Sequence, residues 1–338
     1  MRLDAGRLRP ITVAIAAIAT LLGLLAAPAA AAEPDDESAG TGTLMDQLDA
    51  ASKAYLDAKA KLDASVKKQK ELTERLASLE MELARRQEEV GILAATAYQF
   101  SGIGQLSSVL ASDSPEQFLE RVVLINAIGQ HQTSIISDLI ETRDTADAAR
   151  AAIDAEVAEQ EKQVAEMAKR KEQAERALRA AGGGQATGGP VGVSTFVAEP
   201  APRNADGSWP SESCSEDDPT TGGCITPRTL HALQQARAAG FTRHTSCYRS
   251  GGSGEHPKGR ACDFSATAGG FANSAATGSD RTYGNNLTAM LVNNANRLGV
   301  LYVIWYRQIW LPGSGWRSYS GSGSPAAEHT NHVHLSIY

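Results

Sequence analysis

The chain has 338 residues and a formal charge of -7 at pH 7, with 21% charged and 5% aromatic residues. That length suffices for two or three domains, and the lack of a clustered basic stripe argues against a nucleic-acid protein. All four Trp follow residue 208, and from Arg203 onward 11 Lys/Arg stand against 9 Asp/Glu, whereas the remainder carries 21 against 30. The chain therefore divides into an acidic, polar, helical half and a near-neutral globular half.

Arg2, Arg7 and Arg9 precede an apolar core from Ile11 to Leu25, and Ala30-Ala31-Ala32 offers a small-residue cleavage site before Glu33. This order reads as a secretory signal peptide, residues 1–32, and predicts a secreted protein, extracellular or associated with the cell wall. An uncleaved anchor is the alternative; the run is short, rich in Ala and interrupted by Pro28. No later stretch is long and apolar enough to span a bilayer. Export permits disulfides. Cys214, Cys224, Cys247 and Cys262 allow three pairings, of which Cys214–Cys224 and Cys247–Cys262 are favoured. A cysteine zinc site competes, but the chain has no CxxC pair.

Residues 33–43 read as a disordered lead-in. From Leu44 a heptad pattern runs Leu48, Ala51, Tyr55, Ala58, Leu62, Ser65, Gln69, Leu72, Leu76, Leu79, Leu83, Arg86, Val90, Leu93, Ala97, Phe100, apolar at all but Ser65, Gln69 and Arg86. A sustained pattern of this kind predicts a coiled coil. It breaks near residues 99–114, where Gly102 and Gly104 fall. Ser114-Pro115-Glu116 restarts a helix, with a cap residue, Pro in the first turn and an acid near the positive end. Two long helices spanning 44–182 suggest an antiparallel hairpin; periodicity alone also permits a parallel dimer. The stretch LSSVLASDSPEQFLERVVLINAI resembles the coiled-coil domains of secreted bacterial cell-wall hydrolases. That resemblance implies a coil that restrains the hydrolase or docks it on a membrane-bound division or cell-wall complex. A plain spacer rod is the bland alternative.

Residues 183–205 are rich in Gly, Pro and Ala and read as a flexible linker. The globular domain is expected over 206–338. Thr226 caps a helix with Pro227 in its first turn, running to about Ala239. A second helix covers Asn285–Leu298, with Gly299 as its C-cap. Strands are expected around Thr242–Tyr248, Ala261–Phe264, Val300–Trp305, Ile309–Trp310 and Val333–Ile337. Helices mixed with short strands give an α+β domain, here expected to carry a small, mainly antiparallel sheet.

Four of the seven histidines lie in two short stretches. His256 and Asp263 stand in the form HxxGxAxD, with Gly259 allowing a tight turn between them. At the tail, His332 and His334 would sit at i and i+2 of a strand and point to one face. Two His and one Asp from separate segments make a three-ligand zinc site with an open position. His334 is expected as third ligand, leaving His332 beside the site to move protons.

HxxGxAxD followed by a terminal HxH, with Tyr248-Arg249-Ser250 upstream, is similar to the LAS-type zinc peptidases, the D-alanyl-D-alanine carboxypeptidases and murein endopeptidases. The resemblance covers about residues 225–338, and the HxxHxH spacing of His329, His332 and His334 is most similar to the endopeptidase branch. It implies Zn²⁺ on His256, Asp263 and His334, a catalytic His332, an oxyanion-stabilising Arg249, and peptidoglycan as substrate. The chain departs where many members carry Glu or Asp three residues before the last ligand: here stands Asn331. Glu328 and His332 are the candidate substitutes for that base. The domain also resembles one common in secreted actinobacterial coiled-coil proteins. The leading expectation is a zinc-dependent peptidoglycan peptidase; the alternative is a non-catalytic wall-binding or regulatory protein with a degenerate site.

Overall fold

The computed structural model describes residues 41–99, 107, 110–251, 254–321 and 323–338. The expected signal peptide, most of the lead-in, and Gly102 and Gly104 of the coil break lie outside the described residues. Helix α1 spans Thr41–Gln99 and helix α2 spans Pro115–Ala180. The restart forms as the sequence indicates: the Ser114 side chain accepts a hydrogen bond from the Gln117 amide and Pro115 occupies the first turn.

The two helices are antiparallel partners in one chain, so the hairpin, not the parallel dimer, is the structure. Leu76 is buried against Ala146 and Ala149. The three polar residues in the heptad series each meet α2. Ser65 Oγ donates to Glu156 at 2.8 Å, Gln69 Oε1 accepts from Gln160 at 2.9 Å, and Arg86 donates to Asp138 at 2.8 Å. Such polar contacts at core positions specify register more than they add stability.

The C-terminal domain holds β1 (Glu216–Asp217), β2 (Cys224–Ile225), α3 (Pro227–Ala238), β3 (Thr245–Ser246), β4 (Ala261–Ser265), α4 (Gly278–Asn293), α5 (Ala295–Leu298), β5 (Val300–Trp305), β6 (Gln308–Leu311), β7 (Gly315–Ser318) and β8 (His332–Ile337). Strands β1 and β2 form a small ribbon, and the other six form one sheet in the order β3-β4-β8-β5-β6-β7, every pairing antiparallel. This is an α+β domain with a mainly antiparallel sheet beside a helical hairpin. Two features are not foreshadowed by the sequence pattern, the edge strand β7 and the separate β1–β2 ribbon.

Both faces of the sheet are covered. On one face Phe264, Val303, Trp305, Val333, Leu335 and Ile337 pack with Leu233, Leu287, Met290 and Leu291 of α3 and α4. On the other, Leu301, Tyr302, Ile304, Ile309 and Leu311 pack with Leu48, Ala51 and Leu56 of α1 and Ala174 and Leu178 of α2. A register shift between Val300 and Tyr302 lets Leu301 and Tyr302 join the same cluster. Burial on both faces explains why β5 reads as the unbroken apolar run VLYVIW rather than an alternation. By the two-residue period of a strand, His332, His334 and Ser336 of β8 and Asp263 of β4 lie on the face that the hairpin covers.

Residues 183–205 contain no helix or strand, but they are not the free tether their composition suggests. The Gly184 amide donates to Ser318 O and the Ser318 amide to Gln185 O, which pairs the segment with the outer edge of β7. Further on, Val193 N donates to Asn286, Ala198 N to Asn294 and Ala201 N to the Arg297 carbonyl. Ala198 and Ala201 are buried at 1% and 3% exposure. A Cβ on Gly192 would come within 2.0 Å of the Asn285 carbonyl oxygen. Glycine here permits close backbone approach, where Gly-rich composition alone suggests freedom.

Candidate metal centre

His256 opens a 3₁₀ turn, His256–Lys258, that ends at Gly259 in the left-handed conformation, φ 69°. A Cβ at Gly259 would also lie 2.5 Å from Cys214 Sγ and 2.8 Å from Cys224 O, so both backbone and packing require glycine there. Beyond the turn β4 begins, and its register sets Asp263 opposite His334 and Ser265 opposite His332 on β8. The four cysteines are paired as Cys214–Cys224 and Cys247–Cys262. The second bond joins the residue before Tyr248-Arg249 to the residue before Asp263.

The donors converge. His256 Nε2 lies 3.2 Å from Asp263 Oδ2 and 3.3 Å from His334 Nδ1, and His334 Nδ1 lies 2.8 Å from Asp263 Oδ1. These three residues are a buried set able to hold a metal ion, and are the one such group among the described residues. Tetrahedral ligands at about 2.0–2.1 Å from an ion stand roughly 3.3 Å apart, and one donor atom from each of the three residues lies within 4.8 Å of the others, close enough to share an ion after small shifts. The orientation fits too. His256 Nδ1 faces the Cys247 carbonyl, which can only accept, so that nitrogen carries the proton and Nε2 presents its lone pair. His334 Nε2 lies 2.9 Å from Ser336 Oγ, leaving Nδ1 toward Asp263. Outer partners of this kind fix the ring and tautomer of ligating histidines.

Electrostatics agree with anionic and neutral donors. Burial opposes ionisation of Asp263, yet the close ring nitrogens of His256 and His334 and the neighbouring His332 hold its carboxyl well below the usual range. Burial pushes His334 down to about 4 against the opposing pull of Asp263, and lowers His332 as well. Burial and the neighbouring rings push His329 well below its ordinary value. Near neutral pH these three rings are uncharged and their lone pairs available.

His332 stands beside the trio, its Nε2 3.4 Å from Asp263 Oδ1. Its Nδ1 lies 2.7 Å from Asn331 Oδ1, while Asn331 Nδ2 donates to Ala272 O at 2.6 Å. The amide, oriented by that second bond, offers oxygen to the imidazole. His332 therefore carries its proton on Nδ1 and exposes Nε2. Asn331 reads in the sequence as a missing base; in the structure its amide orients the His332 ring. Arg249 is 59% exposed at its side chain, 3.3 Å from Asp263 Oδ2. Glu328 is not brought to the site: Arg307 holds its carboxylate through Nε and a second guanidinium nitrogen. Its neighbours Ala327 and His329 line the cleft instead.

That cleft has a volume of about 790 Å³ and is bordered by Arg249, Asp263, Phe271, His332 and Tyr319. Ala181, at the end of α2, forms part of its wall, so the hairpin reaches the edge of the site. Phe271 meets His332 edge-on at 5.8 Å. His329 also faces His332, at 4.8 Å between ring centroids, with its Nδ1 buried and unpartnered. The HxxHxH spacing was the only sequence signal for it.

A family model described as "VldE, C-terminal domain" matches residues 221–330. The match takes in His256 and Asp263 and stops short of β8, which carries His332 and His334. No curated protein and no solved structure matches the chain.

Proposed function

We propose that the chain is a secreted zinc peptidase acting on the peptides of peptidoglycan, with the helical hairpin as a docking or regulatory module. The observation that carries this reading is the trio His256, Asp263 and His334, buried as donors yet bordering an open cleft that also holds His332 and Arg249. Three protein donors beside a cleft leave a fourth position open, which suits a catalytic metal better than a four-ligand structural one. The resemblance to LAS-type peptidases, read from HxxGxAxD and HxH, supplies the substrate class. The two disulfides suit an oxidising compartment, and no described helix is long and apolar enough to cross a membrane.

In this reading, His256, Asp263 and His334 hold the ion. Held there, a divalent ion would supply Lewis acidity toward a peptide carbonyl and would acidify water at neutral pH. His332, held in register by Asn331, would accept a proton at Nε2 from the attacking water and pass it to the amine nitrogen as the C–N bond breaks. Arg249, partly exposed at the cleft, pairs with a substrate carboxylate or a developing oxyanion. Phe271 packs edge-on against the His332 ring.

A second reading, binding without turnover, has one observation in its favour. Among the residues bordering the cleft Asp263 is the sole carboxylate, so no acidic side chain stands free to serve as base. Digestion of purified muropeptides, with products identified by mass, separates the two. Cleavage by wild type that is lost in His332→Ala supports the peptidase; equal inactivity of both, with metal retained, leaves the binding protein.

A further inference from the structure

The disulfide-closed loop between Cys214 and Cys224 contains a buried carboxylate that neither the motif nor the proposed mechanism uses. Asp218 is 4% exposed. Its Oδ1 accepts from the Thr220 amide at 2.8 Å and from the Thr220 hydroxyl at 2.6 Å. Its Oδ2 accepts from the Tyr248 amide at 2.8 Å and from the Thr221 hydroxyl. The Thr220 hydroxyl, having donated to Asp218, accepts from the Cys247 amide at 2.9 Å. The carboxylate thus holds two consecutive backbone amides, Cys247 indirectly through the Thr220 hydroxyl and Tyr248 directly.

Those two residues matter to the site in three ways. The Cys247 carbonyl receives the His256 Nδ1 proton and so aims Nε2 at Asp263. Cys247 is bonded through sulfur to the neighbour of Asp263. Tyr248 precedes Arg249, which reaches Asp263. Packing is tight as well, since a Cβ on Gly223 would lie 1.9 Å from the Tyr248 ring. Burial alone would penalise a charged Asp218, and the four donors overcome it.

We infer that Asp218 and Thr220 are positioning residues for the metal centre, setting the orientation of His256 through the Cys247–Tyr248 backbone. The inference rests on His256, Asp263 and His334 binding a metal. Removing a direct outer partner of a ligating histidine typically weakens the metal by about 10–100-fold; Asp218 and Thr220 hold the residue that is that partner, so the lower end of the range applies.

The test is zinc affinity of the full chain, measured by competition with a chromophoric chelator, together with the visible spectrum of the Co²⁺-substituted protein. Asp218→Asn and Thr220→Val should each weaken zinc about tenfold or more and alter the Co²⁺ spectrum. Thr221→Val removes an equivalent bond to the same carboxylate but none to the Cys247 or Tyr248 amide. It should stay within about twofold of wild type. Equal affinity of Thr220→Val and wild type overturns the inference. So does equal weakening by Thr221→Val and Thr220→Val, which would mean that general loosening of the loop is the cause. Should Asp218→Asn fail to fold, the two threonine variants decide. Wild type that takes up neither zinc nor Co²⁺ overturns the metal reading itself, and the inference with it.

Discussion

Replacing Cys247 and Cys262 together by Ala tests whether the second disulfide braces the site. The two residues are 15 apart in sequence. Closing a loop of that length removes unfolded-state entropy equivalent to about 3 kcal/mol at 25 °C. Both residues are buried, at 0% and 1% exposure, within the sheet–helix core. Trading sulfur for hydrogen therefore leaves a small cavity and adds to the loss. We expect a total of about 3–4 kcal/mol. Urea denaturation followed by tryptophan fluorescence reads it, since all four Trp lie in the C-terminal region. Zinc affinity should fall in parallel, because the Cys247 carbonyl that holds His256 loses its tie to the Asp263 strand. A stability loss under about 1 kcal/mol with unchanged zinc affinity would refute the reasoning.

Leu178→Ala, where α2 packs on the sheet at 3% exposure, should cost about 2–4 kcal/mol; a change near zero in the same urea experiment would mean that the hairpin base does not pack as described. Asp49, on α1, is buried beside Glu255 and Tyr302, and burial together with the Glu255 charge raises its pKa to about 8. Its unfolded pKa is about 3.9, so between those values the native state holds a proton that the unfolded chain has released, and stability falls as pH rises through that window. Asp49→Asn should flatten this dependence and stabilise the protein at pH 8 by about 1–3 kcal/mol; an unchanged pH profile contradicts it. Limited proteolysis should leave residues 183–205 intact while the domain is folded, and early cleavage there would show the segment to be a tether after all.

The hairpin was legible because its signal is long and repeated: thirteen apolar heptad positions point one way. The buried strand Val300–Trp305 and the two disulfides were equally plain. What escaped reading depends on partners remote in sequence. The segment 183–205 has a tether's composition, and only its bonds to Asn286 and Asn294 and to the β7 edge remove its freedom. β7 is half-buried along its whole length, so it shows neither alternation nor an apolar run. The convergence of His256, Asp263 and His334 was legible from HxxGxAxD and HxH because the spacing of such donors follows directly from turn and strand geometry. The pairing of Glu328 with Arg307 was not legible because nothing local in the sequence reveals it. Asn331 was seen as a deficit because a motif records which residue is missing, not what the substitute bonds to. Asp218 left a faint signal, the turn-forming DPTTGG between two cysteines.

The central claim is that His256, Asp263 and His334 bind a metal ion and that His332 stands beside them without being a ligand. Metal analysis and zinc titration of chelator-free full-length protein test it most directly. The account predicts about one zinc per chain, lost in Asp263→Ala and His334→Ala and retained in His332→Ala. Wild type that contains no zinc and takes up none on titration would contradict it.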